Sequence, residues 1–359
     1  MKQEYIKLYS NCMPVKGYKQ SFIVDLQRGG ASNAIPNSLF EIIDKYPNKT
    51  LDKIKKEYNN KYDEIIDDYF QFLLKNEFAF KCSKQELETF PELDLTWKSA
   101  SIIENAIVDI STLKETTIKK IISELSELRC NALQIRFEKV CSLNDLKKIG
   151  LLLENTRILT VEIFIKYSEE TTFETLIYLT DKFPRFQRIY IYNSLKNEMS
   201  SCSKIIFDKK DINPSKDCGV ISSHNFVINI ETFTESQCFN TCLNRKISID
   251  SKGYVKNCPS MQNDYGNISN TKLLDIVEKT NFKDYWTVNK DKIDVCQDCE
   301  FRHICTDCRA FIRDSKNIYS QPTKCDYNPY IALWKGQKNW ISVEQWREEN
   351  PHWKDKVNI

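Results

Sequence analysis

The sequence predicts an α/β chain in three parts: a small strand-and-helix module over residues 1–92, a partial (βα) barrel over residues 93–235, and a cysteine-rich carboxyl-terminal domain over residues 236–359. Three observations carry that prediction. Apolar residues switch repeatedly between strand and helix spacing through the middle of the chain. A shorter run of strands and helices precedes them and ends at Phe90-Pro91-Glu92, which has linker chemistry. Eight of the fourteen cysteines lie between Cys238 and Cys325, within one quarter of the length.

Composition narrows the function classes. With 52 Lys+Arg against 50 Asp+Glu, no polybasic surface argues for nucleic acid. Only eight glycines are present, and neither G-x-G-x-x-G nor G-x-x-x-x-G-K-[ST] occurs, so no phosphate cradle is expected. The amino terminus has no signal-like apolar run, and no stretch of about 18 apolar residues suggests a membrane span. A cytoplasmic protein is expected, in which clustered thiols more often hold metal than form disulfides. The remaining cysteines (Cys12, Cys82, Cys130, Cys141, Cys202 and Cys218) are scattered and read as buried small hydrophobes.

In the first module, residues 5–9 and 21–26 read as strands, with turn chemistry at residues 13–17 between them. Three helices follow. Leu39, Ile42, Ile43 and Tyr46 mark the first, and Leu51, Ile54 and Tyr58 behind Thr50 mark the second. Tyr62, Ile65, Ile66, Tyr69, Phe70 and Leu73 mark the third. A strand at residues 78–82 closes the module. This winged-helix-like order resembles the precursor-peptide recognition element of enzymes that modify ribosomally made peptides. The resemblance implies a leader peptide taken as an added strand, with a helix as the other wall of its groove.

Through the middle of the chain, strands at residues 106–110, 132–137, 159–165 and 188–192 alternate with three helix faces. These carry Ile118/Ile121/Ile122/Leu125, Leu143/Leu146/Ile149/Leu153 and Phe173/Leu176/Ile177/Thr180/Phe183. That alternation means right-handed crossovers and a parallel sheet, here with fewer units than a complete eightfold barrel. Residues 204–207 and 226–230 read as strands extending it. Such sheets place active sites at the carboxyl ends of their strands. The loop after the first strand, residues 111–117, holds no cysteine, histidine or glycine. No C-x3-C-x2-C occurs anywhere in the chain.

The cysteine block runs Cys238-x3-Cys242-x10-Gly253-x4-Cys258, then Cys296-x2-Cys299-x5-Cys305-x2-Cys308, and finally Cys325. Paired C-x2-C loops suit tetrahedral zinc or a [4Fe–4S] cluster equally, and eight thiols suffice for two sites of either kind. The spacing is similar to the SPASM domain, which carries two auxiliary [4Fe–4S] clusters at the carboxyl end of many radical SAM peptide maturases. The resemblance implies Cys238, Cys242, Cys258 and Cys308 for one cluster, and Cys296, Cys299, Cys305 and Cys325 for the other. The family usually has three residues where Cys305-x2-Cys308 has two; in a helix that difference would turn Cys308 by about a third of a turn. Pro259 follows Cys258 where sulfatase-maturing relatives have an acidic base, so that activity does not carry over.

Residues 240–250, 299–302 and 306–311 resemble the maturases encoded beside ATP-grasp ligases in "grasp-with-spasm" systems, members of which also lack the SAM-cluster cysteines. Together the resemblances imply a partial barrel of radical SAM type that does not bind SAM. The function implied is an accessory protein that holds a precursor leader and two [4Fe–4S] clusters and works with an ATP-grasp ligase. Alternatives are an Fe–S enzyme with another electron source, or a zinc-stabilised scaffold. His303 reads as an exposed loop residue, with His224 and His352 weaker candidates still, and Trp334, Trp340, Trp346 and Trp353 read as anchors of a terminal helix.

Overall fold

A computed structural model describes residues 4–212 and 217–353. Near the amino terminus, β1 (Tyr5–Leu8), β2 (Cys12–Val15), β3 (Ser21–Asp25) and β4 (Ser32–Ile35) precede three helices, α1 (Asn37–Lys45), α2 (Leu51–Glu57) and α3 (Asp63–Lys75). Then come β5 (Ala79–Cys82) and the short α4 (Lys84–Thr89). The strands pair differently from the expected hairpin. β2, β3 and β4 form one antiparallel meander, whereas β1 pairs with β5. Residues 13–15, read as a turn, lie in β2, because Pro14 and its neighbours add an edge to β3 where a proline is tolerated. Ile66, Phe70 and Leu73 of α3 are buried with Ile23, Leu39 and Ile54. Tyr62 and Ile65, expected on that same face, are exposed.

The central strands follow the apolar pattern closely. β6 (Asn105–Ile110), β7 (Ala132–Phe137), β8 (Thr160–Lys166) and β9 (Phe186–Tyr192) alternate with α5 (Glu115–Glu127), α6 (Leu143–Leu153) and α7 (Phe173–Lys182). β10 (Glu198–Met199) and β11 (Ile205–Phe207) extend one edge. Ala106, Val108 and Ile110 of β6, with their counterparts on β7, β8 and β9, pack against the apolar stripes of the helices in the largest core of the molecule. Gly150, unexpected inside α6, has a packing reason: a Cβ there would stand 2.5 Å from the Phe183 ring. The other face carries half-buried polar side chains, including Asp109, Gln134, Arg136 and Glu162. Arg136 grips Asp109 through two bonds of 2.6 and 2.8 Å.

Beyond residue 212, residues 226–230 do not extend the sheet. Instead, α8 (Ile230–Ser236) begins there, capped by the Asn229 side chain on the Thr232 amide. β12 (Lys246–Ile249) pairs in parallel with β6, and β13 (Val255–Lys256) closes the edge. The result is a mixed α/β fold around an eight-stranded, mostly parallel sheet ordered β10-β11-β9-β8-β7-β6-β12-β13. Its last two strands come from beyond residue 236. α9 (Leu273–Val277), a hairpin of β14 (Tyr327–Asn328) with β15 (Leu333–Trp334), and α10 (Val343–Glu349) complete the chain. Among the described residues no helix is long and apolar enough to cross a membrane.

Candidate metal centres

Cys296 and Cys299 sit on a single 3-10 turn, closed by the Cys299 amide on the Cys296 carbonyl at 3.0 Å. Backbone bridges bring Cys305 beside Phe226 and Cys325 beside Ile221. All four cysteines line one small cavity, walled by Phe301, Tyr327 and Trp334. Burial pushes the Cys296 thiol up to about 12, and raises Cys299 and Cys325 as well. Buried thiols ionise only beside a compensating cation. One cation is built in: the buried Lys290 places its Nζ 3.0 Å from Cys305 Sγ. Burial works against that ammonium, but the neighbouring sulfurs of Cys305 and Cys296 outweigh it and raise its pKa.

The amino-terminal module docks on the stretch that carries Cys296 and Cys299, through a contact between residues about 280 positions apart that no local pattern announces. Gly17 lies so close to Glu300 that a Cβ would stand 2.9 Å from the Glu300 Cβ. The Gln20 amide donates to the Glu300 carboxylate at 2.9 Å, and the Tyr18 amide donates to the Asp298 carbonyl at 2.8 Å. The Tyr18 ring meets Tyr330, Trp346 and Trp353 edge-on. Of the four tryptophans expected to anchor a terminal helix, Trp346 and Trp353 are buried around α10, whereas Trp334 lies in β15 and Trp340 lies outside any helix.

The other expected set is only partly assembled. Cys242 joins Leu243, Cys258 and Met261 in a small apolar cluster near the start of β12. Lys246 at the start of β12 reaches Cys242 Sγ at 3.7 Å. Burial pushes the Cys242 thiol up to about 11. Lys246 opposes that rise, and Cys258, Cys308 and Cys218 add to it. Residues 306–308 are not helical, so the shortened spacing imposes no helical rotation on Cys308. Cys238 is exposed, its amide bonded to the Glu235 carbonyl at the end of α8.

Between the sets lies a buried ion pair, Asp307 with Arg309 at 2.6 Å. Arg309 also donates to the Ile318 and Ser320 carbonyls, and the Asn240 amide donates to Asp307. This network and the two lysines escaped the sequence reading. Their only signal there is polar residues flanking cysteines. His303 is buried rather than exposed: its Nδ1 lies 3.1 Å from Ser236 Oγ, and burial pushes its pKa down to about 4.

Among the described residues no three His, Cys, Asp or Glu side chains close round a single metal ion. A [4Fe–4S] cluster takes one thiolate per iron and so needs its donors spread over four corners. The donor chemistry, all sulfur with an ammonium at hydrogen-bond range, fits such a group. The carboxyl end of β6 differs. A cleft of about 680 Å³ there is lined by Asp109, Thr112, Lys114, Asp250 and Lys252, and no cysteine lines it.

No curated protein matches the chain. Its structure is similar to that of SuiB from Streptococcus suis, with 10% identity over 89% of this chain and 99% of that one, at a TM-score of 0.34. SuiB bound to S-adenosylmethionine gives 11% identity over the same shares and the same TM-score of 0.34. SuiB bound to its precursor peptide SuiA gives 9% identity over 88% and 98%, at a TM-score of 0.28. Residues 238–300 match SPASM, an iron–sulfur cluster-binding domain, and the match takes in Cys238, Cys242, Cys258, Cys296 and Cys299.

Proposed function

We propose that the protein is an accessory factor in the maturation of a ribosomally made peptide, holding the precursor leader and two [4Fe–4S] clusters and working with an ATP-grasp ligase. The observation that carries the reading is the contrast between two thiol sets, each with its own lysine, and a β6 loop with no thiol. Cys296, Cys299, Cys305 and Cys325 would hold one cluster, and Cys242, Cys258 and Cys308 would hold three corners of the other. Such clusters would supply electron transfer or a structural cross-link. Without thiols at residues 111–117 the chain generates no SAM-derived radical, so the covalent step falls to the ligase.

Leader binding is supported at the amino-terminal module. An apolar groove of about 400 Å³ runs between Ile6 and Leu8 of β1 and Phe40 and Ile43 of α1. Among the described residues β1 pairs only with β5, which leaves its other edge to take an extended peptide by strand addition. Full-length protein titrated with the fluorescently labelled precursor from the same gene neighbourhood should bind it saturably. Ile43→Glu, which sets a charge in the groove wall, should weaken binding at least about tenfold. Binding unaffected by that substitution, or absent at high micromolar protein, would sink the leader claim. Iron and acid-labile sulfide after anaerobic purification decide the other half: stoichiometric zinc instead would leave only a scaffold.

A further inference from the structure

We infer that Cys218, and not Cys238, completes the first thiol set and would hold the same cluster as Cys242, Cys258 and Cys308. The inference rests on the cluster-binding reading above. The chain from Cys218 onward threads between the cysteine loops: Ile221 bridges to Cys325, Phe226 bridges to Cys305, and the Val227 amide donates to the Ile304 carbonyl at 2.8 Å. At the start of that run, Lys324 Nζ holds the Cys218 carbonyl at 2.6 Å.

The next residue supplies the closest geometric evidence. Gly219 has φ +76°, and a Cβ on it would stand 2.8 Å from Cys308 Sγ and 3.1 Å from Cys308 Cβ. The backbone beside Cys218 therefore lies against the Cys308 sulfur, an approach that glycine alone permits. Cys238 is positioned otherwise. The buried Asn240 turns the chain after it, accepting from the Cys242 and Leu243 amides at 3.0 and 2.9 Å, so Cys242 faces inward while Cys238 stays at the surface. Cys218 is itself exposed, which would put this corner of the cluster at the solvent edge.

The test uses full-length protein reconstituted anaerobically with iron and sulfide. Wild type should carry about eight irons per chain. Cys218→Ala should fall towards half that content and lose half of the visible charge-transfer absorbance, whereas Cys238→Ala should match wild type. Gly219→Ala, which removes no thiol, should also lower iron by crowding Cys308. Cys218→Ser replaces the alanine variant if circular dichroism shows that variant unfolded. Full iron in Cys218→Ala or Cys218→Ser, or iron loss in Cys238→Ala, overturns the inference alone. Zinc, or no iron, in wild type overturns the cluster-binding reading itself.

Discussion

The two thiol sets are built on opposite plans. Cys296, Cys299 and Cys305 come from one short stretch and line one cavity with Cys325, and the amino-terminal module and the terminal tryptophans pack beside that stretch. Cys242, Cys258 and Cys308 are gathered from separate segments near the start of β12, with an exposed cysteine beside them. The first plan encodes a site locally. The second makes the site depend on strand register and chain threading.

The strongest way to erase this distinction is to remove what both sets share. Asp307 lies between Cys305 and Cys308 and pairs with Arg309, both fully buried. Asp307→Ala leaves the Arg309 charge unpaired in the interior, which costs about 3–5 kcal/mol. Thermal unfolding should show that loss, together with reduced iron in both sets. A loss below about 1 kcal/mol would mean that the pair is relaxed by water and does not join the sets.

The lysines sharpen the comparison through charge. Lys290 touches Cys305 Sγ at 3.0 Å, whereas Lys246 stands 3.7 Å from Cys242 Sγ. Replacing an ammonium near a reducible anionic group disfavours the added electron by about 4 kcal/mol at about 4 Å and an effective dielectric near 20, or on the order of 170 mV for one electron. Lys290→Met should therefore lower one midpoint potential in a redox titration followed by electron paramagnetic resonance. Lys246→Met should lower the other by less, because it is farther away. Equal shifts, or none, would break the asymmetry.

Tyr18 tests the packing beside one set alone. Tyr18→Ala empties the space between Tyr330, Trp346 and Trp353 and should cost about 2 kcal/mol for a half-buried ring. Limited proteolysis should then cut near the amino-terminal module first. Iron should be lost from the set around Cys296 faster than from the set around Cys242. Loss at equal rates would show that the module does not protect its neighbour.

Legibility in the sequence divides along the same line. β6, β7, β8 and β9 follow from apolar runs, because packing against helices on one face demands that pattern, and the C-x2-C turn at Cys296 is likewise local. β2 and β4 were hidden by their brevity and by Pro14, while residues 226–230 have strand-like side chains overruled by the cap at Asn229. Cys12, Cys82, Cys130 and Cys141 are buried as their isolation suggests, but Cys202 and Cys218 are exposed. The neighbourhood of Cys218 was unreadable because its partners lie beyond residue 240, and only the glycine after it gives a trace of close approach. The docking of Gln20 on Glu300 leaves no periodic signature at all.

The smallest effect singles out the loosely built side by its response to pH. Glu235 in α8 accepts a bond from Asn244 at 2.8 Å, two residues from Cys242 and Lys246. Burial pushes its carboxyl up from 4.5 to about 7; Glu231 and Glu104 add to the rise, and Asn244 and Arg245 oppose it. Between those values the folded chain keeps a proton that the unfolded chain has released. The stability it contributes is thus complete below pH 4.5 and is lost as pH rises through about 7. Glu235→Gln keeps an acceptor for Asn244 and does not titrate. Its advantage over wild type should grow across that window and level off at about 2 kcal/mol, once partial solvent screening is allowed for. The difference between the two denaturant-derived profiles cancels other titrating groups, His303 among them. A difference that stays flat across that window would place Glu235 in contact with water, and the β12 side would then be no more sensitive to buried charge than its counterpart.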